Sequence, residues 1–345
     1  MRLTTQPATK LFQLDYVKTI GIVNNGTNGR GFTNPYDAAI AKDGRIFVLN
    51  RCDPGRAKAI RIGICNLDEE YLGEFGDGDG SGDTQFKWPV SMAFDSEERL
   101  YITDEINQRI SVFDSSGTFL RKWGDVGSGE GEIDAPSGIA VDSEDNVYVA
   151  DQNNHRIHKF TTEGRHLLQW GSEGDGEGQF NLPWGIGVDS SDNVYVADWR
   201  NDRIQKFSPD GTFLASFGES GTGDGQFHRP SGVAIDPEGY MYVADWGNER
   251  VQVLRPDGGF QQTLRGEATL SKWAMEFFDV NPDEWTERQK SNLIPELPSH
   301  LNTPYHISSQ SEPYFWSPAS VRLDTEGRLY VVESSRHRMQ IYQKA

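Results

Sequence analysis

The sequence predicts an all-β chain of six four-stranded antiparallel sheets stacked in a ring. Three observations carry this. A proline recurs at Pro35, Pro89, Pro136, Pro183, Pro230 and Pro318, in steps of 54, 47, 47, 47 and 88 residues. The 37 glycines punctuate short runs of Val, Ile, Tyr, Phe and Trp, a strand-and-turn pattern. The length, 345 residues, is long for one ordinary core and normal for a repeat architecture.

The third unit shows the pattern. A Pro-led strand (SGIAVDS) is followed by a turn, a strand (NVYVADQ), a polar loop (NNH), a strand (RIHKFTT), a Gly turn and a last strand (HLLQWG). Such a sheet has two apolar faces and must bury both. Radial stacking into a six-bladed β-propeller does this and leaves only short edges. The expected blades are 32–76, 86–124, 133–171, 180–218, 227–266 and 315–345. The sixth ends at Ile341 and Tyr342 without a fourth strand. FQLDYVKTIG (12–21) resembles FLASFG (213–218) and is expected to supply it, closing the ring by strand pairing.

The segments between units are glycine-rich. GDGDGSGDTQF, from Gly76 to Phe86, has Asp77, Asp79 and Ser81 at EF-hand spacing. The twelfth position, where calcium needs a bidentate Glu, is Trp88, and the flanks alternate like strands. GDVGSGEGEI (124–133), GSEGDGEGQF (171–180) and GESGTGDGQF (218–227) repeat the segment, so it is a connector.

An α-helical insert, 267–314, separates blades 5 and 6. Leu270, Trp273, Ala274 and Phe277 fall at helical spacing. A second helix is expected from Asn281 as N-cap, Pro282 at the first helical position and Glu284 three residues after the cap. The remainder, SHLNTPYHISSQSEPYF, reads as irregular and carries His300, Tyr305, His306 and Tyr314.

Net charge is −19 and the pI near 4.8, which argues against nucleic-acid and anionic-membrane partners. No stretch approaches a membrane span, and the N-terminus lacks a secretory h-region, so a cytoplasmic monomer is expected. A hairpin centred near residue 56 would set Cys65 opposite residue 46, so Cys52 and Cys65 are expected to be free thiols.

The segment 136–160, with P-SGIAVD, NVYVAD and NNHRIHKF, and its relatives at 183–207 and 230–254, resembles NHL repeats. The resemblance implies a six-bladed propeller. NHL propellers often act as interaction domains, and some bind RNA through a basic face. The peptidyl-hydroxyglycine amidating lyase, a distant relative by fold, holds zinc with histidines from three blades and uses Arg and Tyr for chemistry. His155 falls where that family places one zinc ligand, whereas the other expected positions hold Ser137, Ser231 and Ala319.

Asp104, Asp151, Asp198 and Asp245 end the second strand of their blades, and Glu333 takes that place in the sixth. Arg109, Arg156, Arg203, Arg250 and Arg338 follow five residues later. The expectation is structural: each acid caps its loop and pairs with its blade's Arg, since an unpaired buried charge is costly. His158 and His166 are weaker ligand candidates than His155. No GxSxG, HExxH, CxxC or GxxxxGK[ST] motif occurs.

Departures from the repeat are the better functional candidates. The blade 1 loop, RCDPGRAKAI, is longer than its counterparts, replaces the usual Asp by Asn50, and adds Arg51, Cys52, Asp53, Arg56 and Lys58 as a local basic patch. Blade 6 has Ser334, Arg336 and His337 where blade 4 has DWRNDRIQ. This loop and the insert should converge on one face in the sector of blades 5, 6 and 1, with the insert as a lid. The first strands, which line the channel, read as mostly small or apolar, without a polar cluster.

Two functions follow. In the first, the face binds a protein, peptide or small molecule through Arg51, Trp88, Trp184, Trp199, Arg200, Trp246, Trp316 and Arg336. In the second, a metal-assisted lyase or hydrolase site lies beneath the insert, drawn from Tyr36, Asp37, Arg51, His306 and His337, with His155, His306 and His337 as candidate metal ligands. The sequence indicates no cofactor; zinc or another transition metal, or a structural calcium, is compatible with it.

Overall fold

The innermost strand of every blade begins at the recurring proline. These strands are Pro35–Ile40, Pro89–Phe94, Pro136–Val141, Pro183–Val188, Pro230–Ile235 and Pro318–Leu323. Proline lacks a ladder N–H, so the first residue of a strand suits it. The computed structural model describes residues 12–24, 26, 28–52 and 58–345. Among them are six four-stranded antiparallel sheets, five of which run in chain order outward from the proline-led strand. Each innermost strand touches those of both neighbours, and Pro318–Leu323 touches Pro35–Ile40, so the ring is closed.

Leu14–Ile20 is the fourth strand of blade 6. It pairs antiparallel with Arg338–Lys344, Leu14 opposite Lys344 and Ile20 opposite Met339. In blade 1, Ile46 faces Cys65, and both cysteines are buried thiols outside any disulfide. The core lies in the seams between blades. Between blades 4 and 5, for example, Tyr195, Ala197 and Ile204 pack on Phe227, Val233 and Met241. The connectors end in an apolar wedge: Phe86, Ile133, Phe180 and Phe227 are fully buried.

The connectors are held by the second-strand acid and the Arg that follows it. In blade 4, Asp198 accepts from the Asn181 backbone, Asn201, Arg203 and Gln205. Arg203 also donates to the Asp175, Gly176 and Gln179 carbonyls, and Asn201 to that of Gly174. Gly174 has φ +151°, and a Cβ there would meet the Gln179 side chain at 2.5 Å. Direct acid–Arg ion pairs form in blades 3, 4, 5 and 6 at 2.7–2.8 Å. Blade 2 departs from the expectation. Asp104 accepts from the Lys87 and Trp88 backbone, while Arg109 spends its donors on the Ser81, Gly82 and Gln85 carbonyls. His158 takes the place of Gln205: it is fully buried with Nε2 3.0 Å from Asp151, and burial lowers its pKa.

A second device joins neighbouring blades. The residue before the clamp Arg lies in the left-handed region and accepts a backbone N–H from the residue before the next proline. Gln108 accepts from Ala135, His155 Nδ1 from Leu182, Asp202 from Arg229, Glu249 from Ser317 and His337 Nδ1 from Asn34, at 2.5–3.1 Å. In blade 1 this position is the apolar Ile60, and the Trp88 N–H goes to Asp104 instead.

The insert differs in part from expectation. Helix α1 (Lys272–Val280) is bolted to the seam of blades 6 and 1: Ser271 caps it and donates to the Gly21 carbonyl, and Trp273 is buried against Phe32 with its Nε1 on the Glu69 carbonyl. In α2 (Pro282–Lys290), Asn281 holds the N-cap position, but its side chain donates back to Phe277 and Glu284 completes no capping box. The stretch expected to be irregular contains α3 (Pro304–Gln310), with Thr303 accepting from the His306 N–H and Pro304 at its first turn.

In five blades a tyrosine on the second strand donates to the acid that opens the first turn. The pairs are Tyr101–Asp95, Tyr148–Asp142, Tyr195–Asp189, Tyr242–Asp236 and Tyr330–Asp324, at 2.8–3.1 Å. Blade 1 has Ala41 and Phe47 in these places, so both partners are lost together and nothing polar is stranded. Asp142→Ala should therefore destabilise the protein by about 1–3 kcal/mol, and adding Tyr148→Phe should recover part of that, read by urea denaturation.

Glu249 supplies a pH test. Burial pushes its carboxyl up to about 7, the Ser317 N–H opposing the shift. The native state then holds the proton more tightly than the unfolded chain. Stability should fall as pH rises from about 4.5 to about 7 and level off above it. Glu249→Gln keeps the acceptor, so it should flatten that slope and raise stability at pH 8 by roughly 1–3 kcal/mol.

Candidate functional site

The loops joining second to third strands, and the connectors, open on one face of the ring, here called the upper face. Two positions per blade surround the channel mouth: the residue after the proline and the residue after the second-strand acid. In blade 4 they are Trp184 and Trp199; in blade 1, Tyr36 and Arg51.

These residues form a continuous aromatic–arginine belt. Arg51 is buried, its guanidinium 3.9 Å from the Trp88 ring centroid and 4.3 Å from that of Tyr36. Tyr36 and Trp184 come from opposite blades and meet across the mouth with centroids 6.4 Å apart. Trp184 lies 6.1 Å from Trp199, and Arg229 stands 4.9 Å over the Trp199 ring with Arg200 at 5.7 Å. Arg200 is exposed; Trp184, Trp199 and Arg229 are half-buried.

Arg51 therefore does not head an exposed basic patch. It is stacked between two rings and ion-paired with Glu105 at 3.2 Å. Burial lowers its pKa and raises those of Glu105 and the Tyr36 phenol. Lys58 is exposed, and Asp53 and Arg56 lie outside the described residues.

A second group stands at blades 5 and 6. Arg336 reaches the Ser308, Ser309 and Ser311 carbonyls around the C-terminal end of α3 and lies 5.3 Å over Trp316. Tyr305, more than half exposed, packs on Trp316 and His306. Trp246 sits in the adjacent blade 5 turn against α3. Tyr314 lies under Arg265, and His300 is exposed.

The candidate histidines are not gathered. His155 and His337 serve as inter-blade acceptors in different blades, each with Nδ1 engaged by a backbone N–H. His306 bonds Thr303 of its own helix start at 2.8 Å. His166 packs on His158 and Phe160. Among the described residues no three His, Cys, Asp or Glu side chains converge as a metal-ligand set.

The channel, expected to lack a polar cluster, holds one. Asp37 is 1% exposed and accepts from Arg322 Nε at 2.9 Å, from Arg322 Nη2, from Ser91 Oγ and from the Met92 backbone. Arg322 Nη2 also reaches Ser91 Oγ at 2.8 Å. The signal was present in the repeat. The fifth residue of the innermost strand is Ala39, Ala93, Ala140, Gly187 and Ala234 in five blades, and Arg322 in the sixth. The third is Gly138, Gly185 and Gly232 in blades 3, 4 and 5, but Asp37 and Ser91 in blades 1 and 2. Glu105 and Arg229 of the belt also escaped the sequence reading, since neither departs in length or spacing.

The family model described as NHL repeat matches residues 134–160, 180–207, 227–254 and 315–342. Similar solved structures include a Bacteroides thetaiotaomicron protein of unknown function, at TM-score 0.63 and 16% identity over 96% of this chain and 76% of that one. A catalytically inactive virginiamycin B lyase from Staphylococcus aureus, determined with quinupristin, has TM-score 0.56 and 14% identity over 96% and 99%. The WD40 propeller domain of Doa1 has TM-score 0.54 and 12% identity over 92% and 80%. A search of curated proteins finds no match. At such identities the likeness shows the fold alone. The chain is therefore a closed six-bladed β-propeller, four of whose blades carry NHL repeats.

Proposed function

We infer that the protein is a binding module that grips a partner polypeptide on its upper face. The observation that supports this best is the belt from Trp88 through Arg51, Tyr36, Trp184 and Trp199 to Arg229, which crosses the mouth. Trp, Tyr and Arg are the residues that dominate binding energy at protein interfaces. They project from loops on a rigid ring, the usual placement of binding residues.

Charge narrows the partner. The chain carries −19 overall, yet Arg200 and Arg229 flank one Trp at the mouth. A basic centre in an acidic surround focuses the field inward and steers negative groups to the mouth. The partner segment would therefore set a carboxylate beside an aromatic or apolar side chain. Helix α3, with Tyr305 and Trp316, borders the blade 5 and 6 side of this face. Because Trp273 anchors the start of the insert and Arg336 ties down the end of α3, it acts as a fixed wall rather than a lid.

Selection from a random peptide library tests this. Peptides retained by the wild type should be enriched in Asp or Glu next to aromatic residues. Their affinity by calorimetry should weaken by about tenfold or more in the Trp199→Ala, Arg229→Glu double variant, with the melting temperature held. Peptides without acidic bias, or equal affinity for both proteins, would sink the reading.

A further inference from the structure

The lower half of the central channel is a separate cavity of about 280 Å³, lined by all six innermost strands. Apart from Arg322 its lining side chains are apolar, among them Met92, Ile139, Ile186, Val188, Val233 and Leu323, while exposed backbone groups add a polar surface of similar extent. The small residues at the fifth position of five blades keep it open. Arg322 is the sole charged residue in its lining.

The cavity is blind. The Arg322–Asp37–Ser91 cluster crosses the waist, where the remaining space is about 20 Å³. Above it Tyr36 and Trp184 meet across the mouth. A ligand must therefore enter from the lower face, opposite the belt.

The cluster breaks the repeat in three adjacent blades, and the repeat did not require it. Gly138, Gly185 and Gly232 line the same level without charge. A buried ion pair stabilises little after its desolvation cost, so its presence calls for a role. The two sides of the pair are unequally used. Asp37 has both oxygens engaged, whereas Arg322 Nη1 makes no bond among the described residues. The waist thus offers unused N–H donors to the cavity and no unused acceptor from Asp37.

Charge selects the ligand class. The first turns ring the lower mouth, and in blades 2 to 6 they read DSEER, DSSDN's relative DSEDN in blade 3, DSSDN itself, DPEGY and DTEGR, each net negative. Arg45, Arg99 and Arg328 at this level are ion-paired with acids of their own turns, and Lys159, Lys206 and Lys344 each pair with one acid of the turns in blades 3, 4 and 5; with Lys42 of the blade 1 turn counted as well, the rim stays net negative. Such a rim disfavours entry of an anion, and the guanidinium at the blind end disfavours a cation. What remains is a neutral apolar body with an acceptor head. We propose that the lower channel binds a small uncharged apolar molecule carrying one carbonyl-type oxygen, with that oxygen on Arg322 Nη1.

The test uses the intact protein and four probes of equal chain length: 2-octanone, octane, octanoate and octylammonium. Saturation-transfer NMR and calorimetry should show 2-octanone binding at least about tenfold more tightly than either ion. Ala234→Leu, which fills the cavity without touching the pair, should abolish that binding. Removing the pair as a unit, in Asp37→Leu with Arg322→Met, should keep apolar binding but erase the preference for 2-octanone over octane. No binding of 2-octanone to the wild type overturns the proposal. So does unchanged binding in Ala234→Leu, or tighter binding of either ion.

Discussion

A carboxylate buried at the end of the second strand governs the rest of the ring. Asp198 can remain charged there only because one backbone N–H, Asn201, Arg203 and Gln205 all point at it. Arg203 is satisfied in turn only when three connector carbonyls come to it. A half-satisfied network of this kind is worse than an apolar one. The connector is therefore confined to one path, and that path fixes how far one sheet stands from the next. The constant spacing of the prolines in the central blades is the sequence record of this constraint.

Departures from sixfold symmetry fall at two levels of the axis. At the mouth, residues of blades 1, 2, 4 and 5 join into a band of rings and guanidinium groups. At the waist, blades 6, 1 and 2 supply an ion pair and a hydroxyl. The waist uses strand positions that in the other blades carry Gly, Ala or Ser, and the mouth uses loop positions and the residue after the proline, so neither disturbs the seams between blades. A repeat architecture permits this because its stability resides in nearest-neighbour contacts away from the axis.

The fold was legible because period, proline and connector all report it, and the Ile46–Cys65 register followed from hairpin arithmetic alone. The blade latches were hidden. Gln108, His155, Asp202, Glu249 and His337 have no residue type in common, and only the left-handed backbone and the shared acceptor role unite them. Two histidines thus looked like ligands when each replaces an amide or a carboxylate. The channel cluster was missed for a different reason. Along any one innermost strand the residues look ordinary, and a single Arg among alanines shows only when the six strands are set in register. Helix α3 escaped because seven residues are too few for periodicity, although Thr303 and Pro304 mark its start.

The pairing of Leu14–Ile20 with Arg338–Lys344 joins the two segments farthest apart in the described chain. Blades 1 to 5 need no such distant partner; each is complete within a short stretch. Loop-closure entropy is therefore paid at one seam, and that seam is the last that the chain can complete. The insert lies there as well, with Trp273 wedged beside Phe32 and Ser271 on the Gly21 carbonyl. A ring that needs its first and last strands together behaves like a clasped bracelet: its weakest link is the clasp, and the insert is its safety catch.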